Sequence, residues 1–541
     1  MALHAPTNWL TRLSAIQLAD LIASGDVSAV EVVQAHIERI AQVNPTINAV
    51  VVTRFEQALQ EAAAADAKRA RGEPLAPLHG VPITIKECLD LIGTPSTFGM
   101  PSRRSDYPQA SDLYVQRLLD AGAIVIGKTN VPQALIYNES SNALYGRTNN
   151  PWDTTRTPGG SSGGEGAIIA AGGSPLGLGT DIGGSLRLPA AFCGIVSLKP
   201  TTLRTHDYSR FSERPFEFAP IASVVGPMAR DVADLMLTMR LIGMVSHPRL
   251  PSPRPLGDPR TVDVSSLRVG FFAHDGVMQP SPAVARAVHE AAAILRTAGA
   301  QVTEWMPPDL HRAAALYVRL LTANGASLFR AALAHDKAEP QIAALYWLAQ
   351  QPRRTVQRIR RALALLRQKR FAQQLGNVGF SADDAQRLSA EADGYRQAFA
   401  TAMAHADGGP LDVVLSPACF SPAWPHGASR ELITGGAYCI VYNLLGYPAG
   451  VVPVTRVQPD EAIARPRSLD IVEMAARRVD IGSAGLPIGV QIAAHPWQEH
   501  VVLAAMKVIQ DEARKRKDYP TMMREAEQKA DSPEAGVTLT A

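Results

Sequence analysis

GGSSGGEGAIIAAGGSPLGLGTDIGGSLRLP, residues Gly159–Pro189, sets two serines, Ser161 and Ser185, in separate glycine-rich frames. Repeated glycines mark places where the backbone takes positive φ or passes close to another group, and a run of them frees successive N–H groups to point at one spot. In Asp181-Ile182-Gly183-Gly184-Ser185, that reading makes Ser185 a nucleophile held beside its own oxyanion hole. The N–H groups of Ile182, Gly183, Gly184 and Ser185 are the candidate donors, each contributing about a few kcal/mol where negative charge develops. The earlier frame supplies a second hydroxyl on Ser161. A glycine-rich loop standing alone is more often a turn or a phosphate cradle, but this one lacks the Gly-Lys-Ser/Thr ending of a P-loop.

The two frames resemble the signature of the amidase signature family, serine hydrolases with a Ser-Ser-Lys triad in place of Ser-His-Asp. The family pattern has a lysine upstream. Gly80-Val81-Pro82-Ile83-Thr84-Ile85-Lys86-Glu87 supplies it at the end of an apolar, strand-like run. The resemblance implies Lys86 as the base, Ser161 as the bridging serine on a cis peptide bond, and Ser185 as the nucleophile. The chemistry of these residue types agrees, because a serine hydroxyl is a weak nucleophile until a neighbouring base takes its proton. Lysine is such a base only when neutral, and burial lowers a lysine pKa from about 10.4. Asp181 and Arg187 read as an ion pair bracing the nucleophile loop. Thr180 and Ser162 either hydrogen-bond the site or satisfy the loop backbone. None of the thirteen histidines is needed by such a triad, and His79 reads as structural. No His-Glu-x-x-His or paired-cysteine motif occurs, so neither a metal nor another cofactor is implied.

Outside the signature the chain is similar to the fatty acid amide hydrolase branch of that family. The matching runs are Thr129-Asn130-Val131-Pro132-Gln133, Asn149-Asn150-Pro151-Trp152, Gly164-Glu165-Gly166, Cys193-Gly194, Gly446-Tyr447-Pro448-Ala449-Gly450 and Pro496-Trp497-Gln498-Glu499. By that analogy Leu135 helps line the substrate site. Leu135, Ile136 and Tyr137 are largely apolar, as an acyl pocket requires, although ordinary core is the plainer reading. On the same analogy Trp497 lines an acyl channel, although a large aromatic beside a turn is as often simply packed.

The resemblance implies an α/β fold, a mixed, largely buried β-sheet flanked by helices. Apolar runs at Val81–Ile85, Ala123–Ile126 and Leu411–Leu415 read as its strands. Leu13–Val43 carries apolar residues at helical spacing with a break at Gly25-Asp26, a helical hairpin, and Val50–Arg71 reads as one alanine-rich helix. The chain divides into an N-terminal helical segment (1–75), a core carrying the signature (76–335), a basic helical insertion or cap (336–410), the rest of the core (411–525) and a mobile tail (526–541). Arg456–Gly485 reads as a surface excursion.

A chain of 541 residues, 46% hydrophobic, can bury a large core. Its net charge of only +3 gives no reason to expect nucleic acid. Cys88, Cys193, Cys419 and Cys439 are widely spaced in apolar surroundings and read as reduced core residues, which points to the cytoplasm. No basic leader with an apolar stretch opens the sequence, and no membrane span is expected.

One further segment stands out. No acidic residue occurs between Gln341 and Phe380, while Arg353, Arg354, Arg358, Arg360, Arg361, Arg367, Lys369 and Arg370 crowd around Val356, Ile359, Leu363 and Leu366. Those four apolar residues share one helical face. A basic amphipathic helix at 353–371 can lie on an anionic membrane, and a solvated helix or a contact in a homo-oligomer fits the same pattern. The expected activity is hydrolysis of small-molecule amides, fatty acyl or aryl, with ester or carbamate cleavage as a side activity. Two other readings stay open: a glutamine-dependent transamidation subunit working in a complex, and a non-catalytic membrane-associated binding protein.

Overall fold

Runs of alternating and continuous apolar residues yield thirteen strands among the described residues: β1 (Val50–Thr53), β2 (Pro82–Lys86), β3 (Ile124–Thr129), β4 (Ser141–Asn142), β5 (Gly146–Arg147), β6 (Leu176–Asp181), β7 (Val196–Lys199), β8 (Val224–Ala229), β9 (Arg268–Phe271), β10 (Gln301–Glu304), β11 (Val413–Pro417), β12 (Ala449–Arg456) and β13 (Pro487–Ala494). This computed structural model describes residues 8–205, 221–244, 254–276, 278–378, 380–433 and 435–521. The expected mobile tail, 526–541, lies outside them.

Eleven strands form one mixed sheet in the order β1-β3-β2-β6-β8-β7-β12-β13-β11-β9-β10. β3, β2 and β6 run parallel, as do β11, β9 and β10, while the strands between are antiparallel. Every residue of β2, β3, β6 and β13 is buried. Strands covered on both faces need no polar alternation, which is why these segments read as continuous apolar runs. The expected mixed, helix-flanked α/β sheet is what the chain forms.

The N-terminal hairpin consists of helices Ala15–Ser24 and Ala29–Ile47, each opened by a capping box, Ser14 with Gln17 and Ser28 with Glu31. Gly25 ends the first helix in the left-handed conformation, φ 85°. Two expectations need correction. The β-branched run Val50–Thr53 pairs with β3 as an edge strand, and the alanine-rich helix starts only at Phe55. Within Arg456–Gly485, residues Ile471–Asp480 form a helix that buries Val472, Ala475, Ala476 and Val479 at helical spacing.

The basic segment forms helices Arg353–Leu365 and Lys369–Leu375. Val356 is buried, and with Ile359 and Leu363 it joins a small apolar cluster containing Leu348, Leu375 and Val378. Leu366 departs from the expected stripe. It caps the first helix, beyond the last regular turn, and is 69% exposed beside Leu365 at 86%. No helix among the described residues is long and apolar enough to cross a membrane.

Candidate active site

β2 and β6 are parallel neighbours in register Thr84↔Gly177 and Ile85↔Leu178. Their carboxyl ends therefore present Lys86, the last residue of β2, beside Thr180 and Asp181, the last two of β6. Ligands in open α/β sheets gather at such strand ends. The Lys86 side chain is fully buried. Its Nζ donates to Ser161 Oγ at 2.7 Å and to Thr180 Oγ1 at 2.8 Å, with Thr180 O at 3.4 Å.

Ser161 follows a cis Gly160–Ser161 peptide bond. Ser162 is the N-cap of helix Gly163–Ala170. Its N–H donates to Ser185 O at 3.2 Å and its hydroxyl to Thr180 O at 3.3 Å, so both glycine-rich frames are tied together through it. The helix is buried on every side. Such depth demands small residues: a Cβ on Gly164 would sit well inside contact distance of the Asn130 backbone N. Ser185 is 8% exposed, the least covered of the three expected catalytic residues, and its hydroxyl makes no hydrogen bond among the described residues.

The loop bearing Ser185 is built around Asp181. Its Oδ1 accepts from Gly184 N at 2.8 Å and its Oδ2 from Leu186 N at 3.1 Å, while Arg187 Nε donates to Oδ2 at 3.0 Å. Asn443 Nδ2 donates to Oδ1 at 2.9 Å. Burial pushes this carboxyl up, but the Arg187 guanidinium and the hydrogen bonds outweigh it and hold Asp181 well below the usual carboxylate range. Arg187 also donates to Cys439 O, Gln491 Oε1 and Asn443 Oδ1. The expected bracing ion pair is thus present, fully enclosed and elaborately satisfied. One expectation changes: the Gly184 N–H is committed to Asp181, which leaves Ile182, Gly183 and Ser185 as the expected donors whose N–H groups have no partner among the described residues.

Leu135 lies in a loop where Ala134, Leu135 and Tyr137 all adopt positive φ (54°, 58° and 99°), and whose Tyr137 O would lie 2.8 Å from a Cβ on Gly160, next to Ser161. Non-glycine residues in this region are strained and persist where the surroundings enforce them. Glu139 anchors the end of this loop, accepting from Gly427 N, Ser429 N and Ser429 Oγ at 2.9, 3.0 and 2.6 Å. Leu135, Ile136 and Tyr137 pack on an apolar cluster of Cys88, Phe98, Met100, Ala134, Leu333 and Ile342, separate from the main core. Trp497 stacks under the guanidinium groups of Arg204 and Arg254.

Two residues near the site were not among the expected site residues. Tyr317, on helix Leu310–Ala332, donates from Oη to Ile182 O at 2.9 Å. Glu165 is fully buried, its carboxyl accepting from Thr84 Oγ1 at 2.7 Å and Thr129 Oγ1 at 2.9 Å. An acid inside the apolar stretch Gly163–Ala170 was the available signal for Glu165; Tyr317 had none.

Burial pushes the Glu165 carboxyl up to about 8, against the pull of both threonines and the Lys86 charge. A raised carboxyl contributes stability that is complete below its ordinary range near 4.5 and is lost as pH rises through about 8. Glu165→Gln, neutral at every pH, is therefore expected to gain on the wild type by on the order of 2 kcal/mol between pH 5 and 8. Urea unfolding of both proteins across that range checks it, and parallel pH curves would show that Glu165 ionises normally.

The family model described as Amidase matches residues 31–503, and the chain belongs to the amidase family. It is an amide-hydrolysing enzyme. Among its relatives, Fatty acid amide hydrolase 1 of Caenorhabditis elegans is 33% identical over 511 residues, covering 93% of this chain and 88% of that protein. Indoleacetamide hydrolase of Bradyrhizobium diazoefficiens is 44% identical over 303 residues, 55% of this chain and 57% of its own length. A solved structure of fatty acid amide hydrolase superposes with a TM-score of 0.77 at 26% identity, covering 93% of this chain and 85% of that one.

Proposed function

We propose that this enzyme is a serine amidohydrolase that cleaves fatty acyl or aryl amides through an acyl-enzyme on Ser185. The observation that carries this reading is the fully buried Lys86 Nζ, 2.7 Å from Ser161 Oγ in a loop bonded to the Ser185 backbone. Ser185 Oγ attacks the amide carbonyl carbon, passing its proton to Ser161 as the Ser161 proton goes to the neutral Lys86 amine. The carbonyl oxygen takes up negative charge against the N–H groups of Ile182, Gly183 and Ser185. When the C–N bond breaks, the proton returns through Ser161 to the departing amine. Water then attacks the ester and releases the acid.

The apolar surroundings of Leu135, Ile136 and Tyr137 support an acyl group as the substrate's recognised half. Hydrolysis of saturated acyl amides from two to eighteen carbons, with anilides alongside, tests this. We expect kcat/KM to rise at least about tenfold across the series, because each buried methylene contributes about 0.8 kcal/mol. A flat or falling series would discard the lipid-like acyl group and keep the chemistry.

The same reading extends to peripheral membrane contact through residues 353–371. Its apolar side faces inward, so arginine charge and the exposed Leu365-Leu366 tip would have to carry such contact. Failure to sediment with anionic vesicles at low salt would remove it. Four buried cysteines, not joined in disulfides among the described residues, support residence in a reducing compartment.

A further inference from the structure

We propose that Tyr317 is a positioning residue for the oxyanion hole, holding the Ile182–Gly183 peptide so that the Gly183 N–H stays aimed at the reacting carbonyl. This inference rests on the reading of Ser185 as the nucleophile.

The argument begins with the peptide plane. In a trans peptide the carbonyl and the following N–H point in opposite directions, so fixing Ile182 O fixes the Gly183 N–H as well. Within Ile182-Gly183-Gly184-Ser185, the later part is braced by Asp181, through Gly184 N and Leu186 N. Asp181 accepts nothing from Ile182 or Gly183. The hydrogen bond that acts on their shared peptide is the one from Tyr317 Oη to Ile182 O, 2.9 Å long and 135 residues distant in sequence. Without it the peptide is held less firmly, since the φ of Gly183 on its far side offers little torsional resistance.

The surroundings make the contact a built one. Tyr317 is 5% exposed, on a helix that also buries Ala313, Ala314, Leu316 and Leu320. A buried phenol requires an acceptor, and Ile182 O provides it. A Cβ on Gly183 would fall well inside contact distance of Tyr317 Oη and within 3.4 Å of Ile440. Glycine at 183 is therefore what allows the hydroxyl to approach, and the two positions form a matched pair.

Tyr317→Phe removes only the hydroxyl and leaves the ring packed. Steady-state kinetics of the full chain should show kcat reduced about 10- to 100-fold, with KM within threefold and the pH limb of kcat/KM unmoved. The reduction should be equal for short and long acyl amides, because the lost interaction belongs to the transition state. Gly183→Ala should also be impaired, and adding Tyr317→Phe to it should restore part of the activity by relieving the clash with the hydroxyl. A purely structural role would change thermal stability or KM and leave kcat of Tyr317→Phe near wild type; the rescue checks the matched pair. Wild-type kcat in Tyr317→Phe, or a double variant no better than Gly183→Ala, overturns the proposal. Ser185→Ala is measured in the same series. If it stays active, the nucleophile assignment itself fails; if it is inactive while Tyr317→Phe is normal, only the role of Tyr317 does.

Discussion

Ser185→Ala is expected to lower amide hydrolysis by at least about 10⁴-fold, because in the proposed mechanism it removes the nucleophile, and with it nearly everything a cooperative triad contributes. The protein itself should remain folded. The Ser185 hydroxyl makes no hydrogen bond among the described residues and the side chain sits at the edge of the buried site, 8% exposed, so stability should stay within about 0.5 kcal/mol of wild type. Incubation with a reactive fluorophosphonate, followed by intact-mass measurement, should add one phosphonyl group to the wild type and none to the variant. Labelling of the variant at another serine, with activity retained, would move the nucleophile elsewhere.

The second large effect concerns folding. Arg187→Met removes a cation that donates to Asp181, Cys439 O, Gln491 and Asn443 from a fully enclosed position. Breaking a buried pair from one side strands the remaining charge, at a cost of about 3–5 kcal/mol. Asp181 also loses the partner that keeps its carboxyl low, while Gly184 N and Leu186 N still depend on it. We expect a large drop in thermal midpoint and little activity. Adding Asp181→Asn, which removes the stranded charge, should recover part of the stability. A midpoint unchanged in Arg187→Met would mean that the pair is replaceable by packing alone.

Much of this site could be read before any coordinates existed, and the reason is local. Lys86 ends an apolar run, and Ser161, Thr180, Asp181, Ser185 and Arg187 fall within 27 residues, so the spacing of motif residues carries most of the geometry. The paired strands β2, β3 and β6 were visible for a similar reason, being continuous apolar runs buried on both faces. What the chain hid was non-local or competitive. Nothing in the composition of the middle region could indicate that the Tyr317 hydroxyl meets Ile182. Gly184 looked equivalent to its neighbours until the Asp181 carboxylate, folded back three residues, claimed its N–H. Val50–Thr53 adjoins an alanine-rich helix, and only pairing with β3 reveals that its β-branched residues extend as a strand. Leu366 fitted an ideal helical stripe, but the helix stops one residue before it.

The expected catalytic residues lie between Lys86 and Arg187, whereas Tyr317, which meets Ile182, and Leu333, Ile342 and the Gly427–Ser429 turn, which pack on or bond the loop from Ala134 to Glu139, come from later in the chain. The expected catalytic residues are thus local in sequence, while the packing around them and around the loop of Leu135 draws on both halves of the chain. A downstream recombination or insertion would therefore leave the three expected catalytic residues in place and change what packs around them, provided a hydroxyl still reaches Ile182.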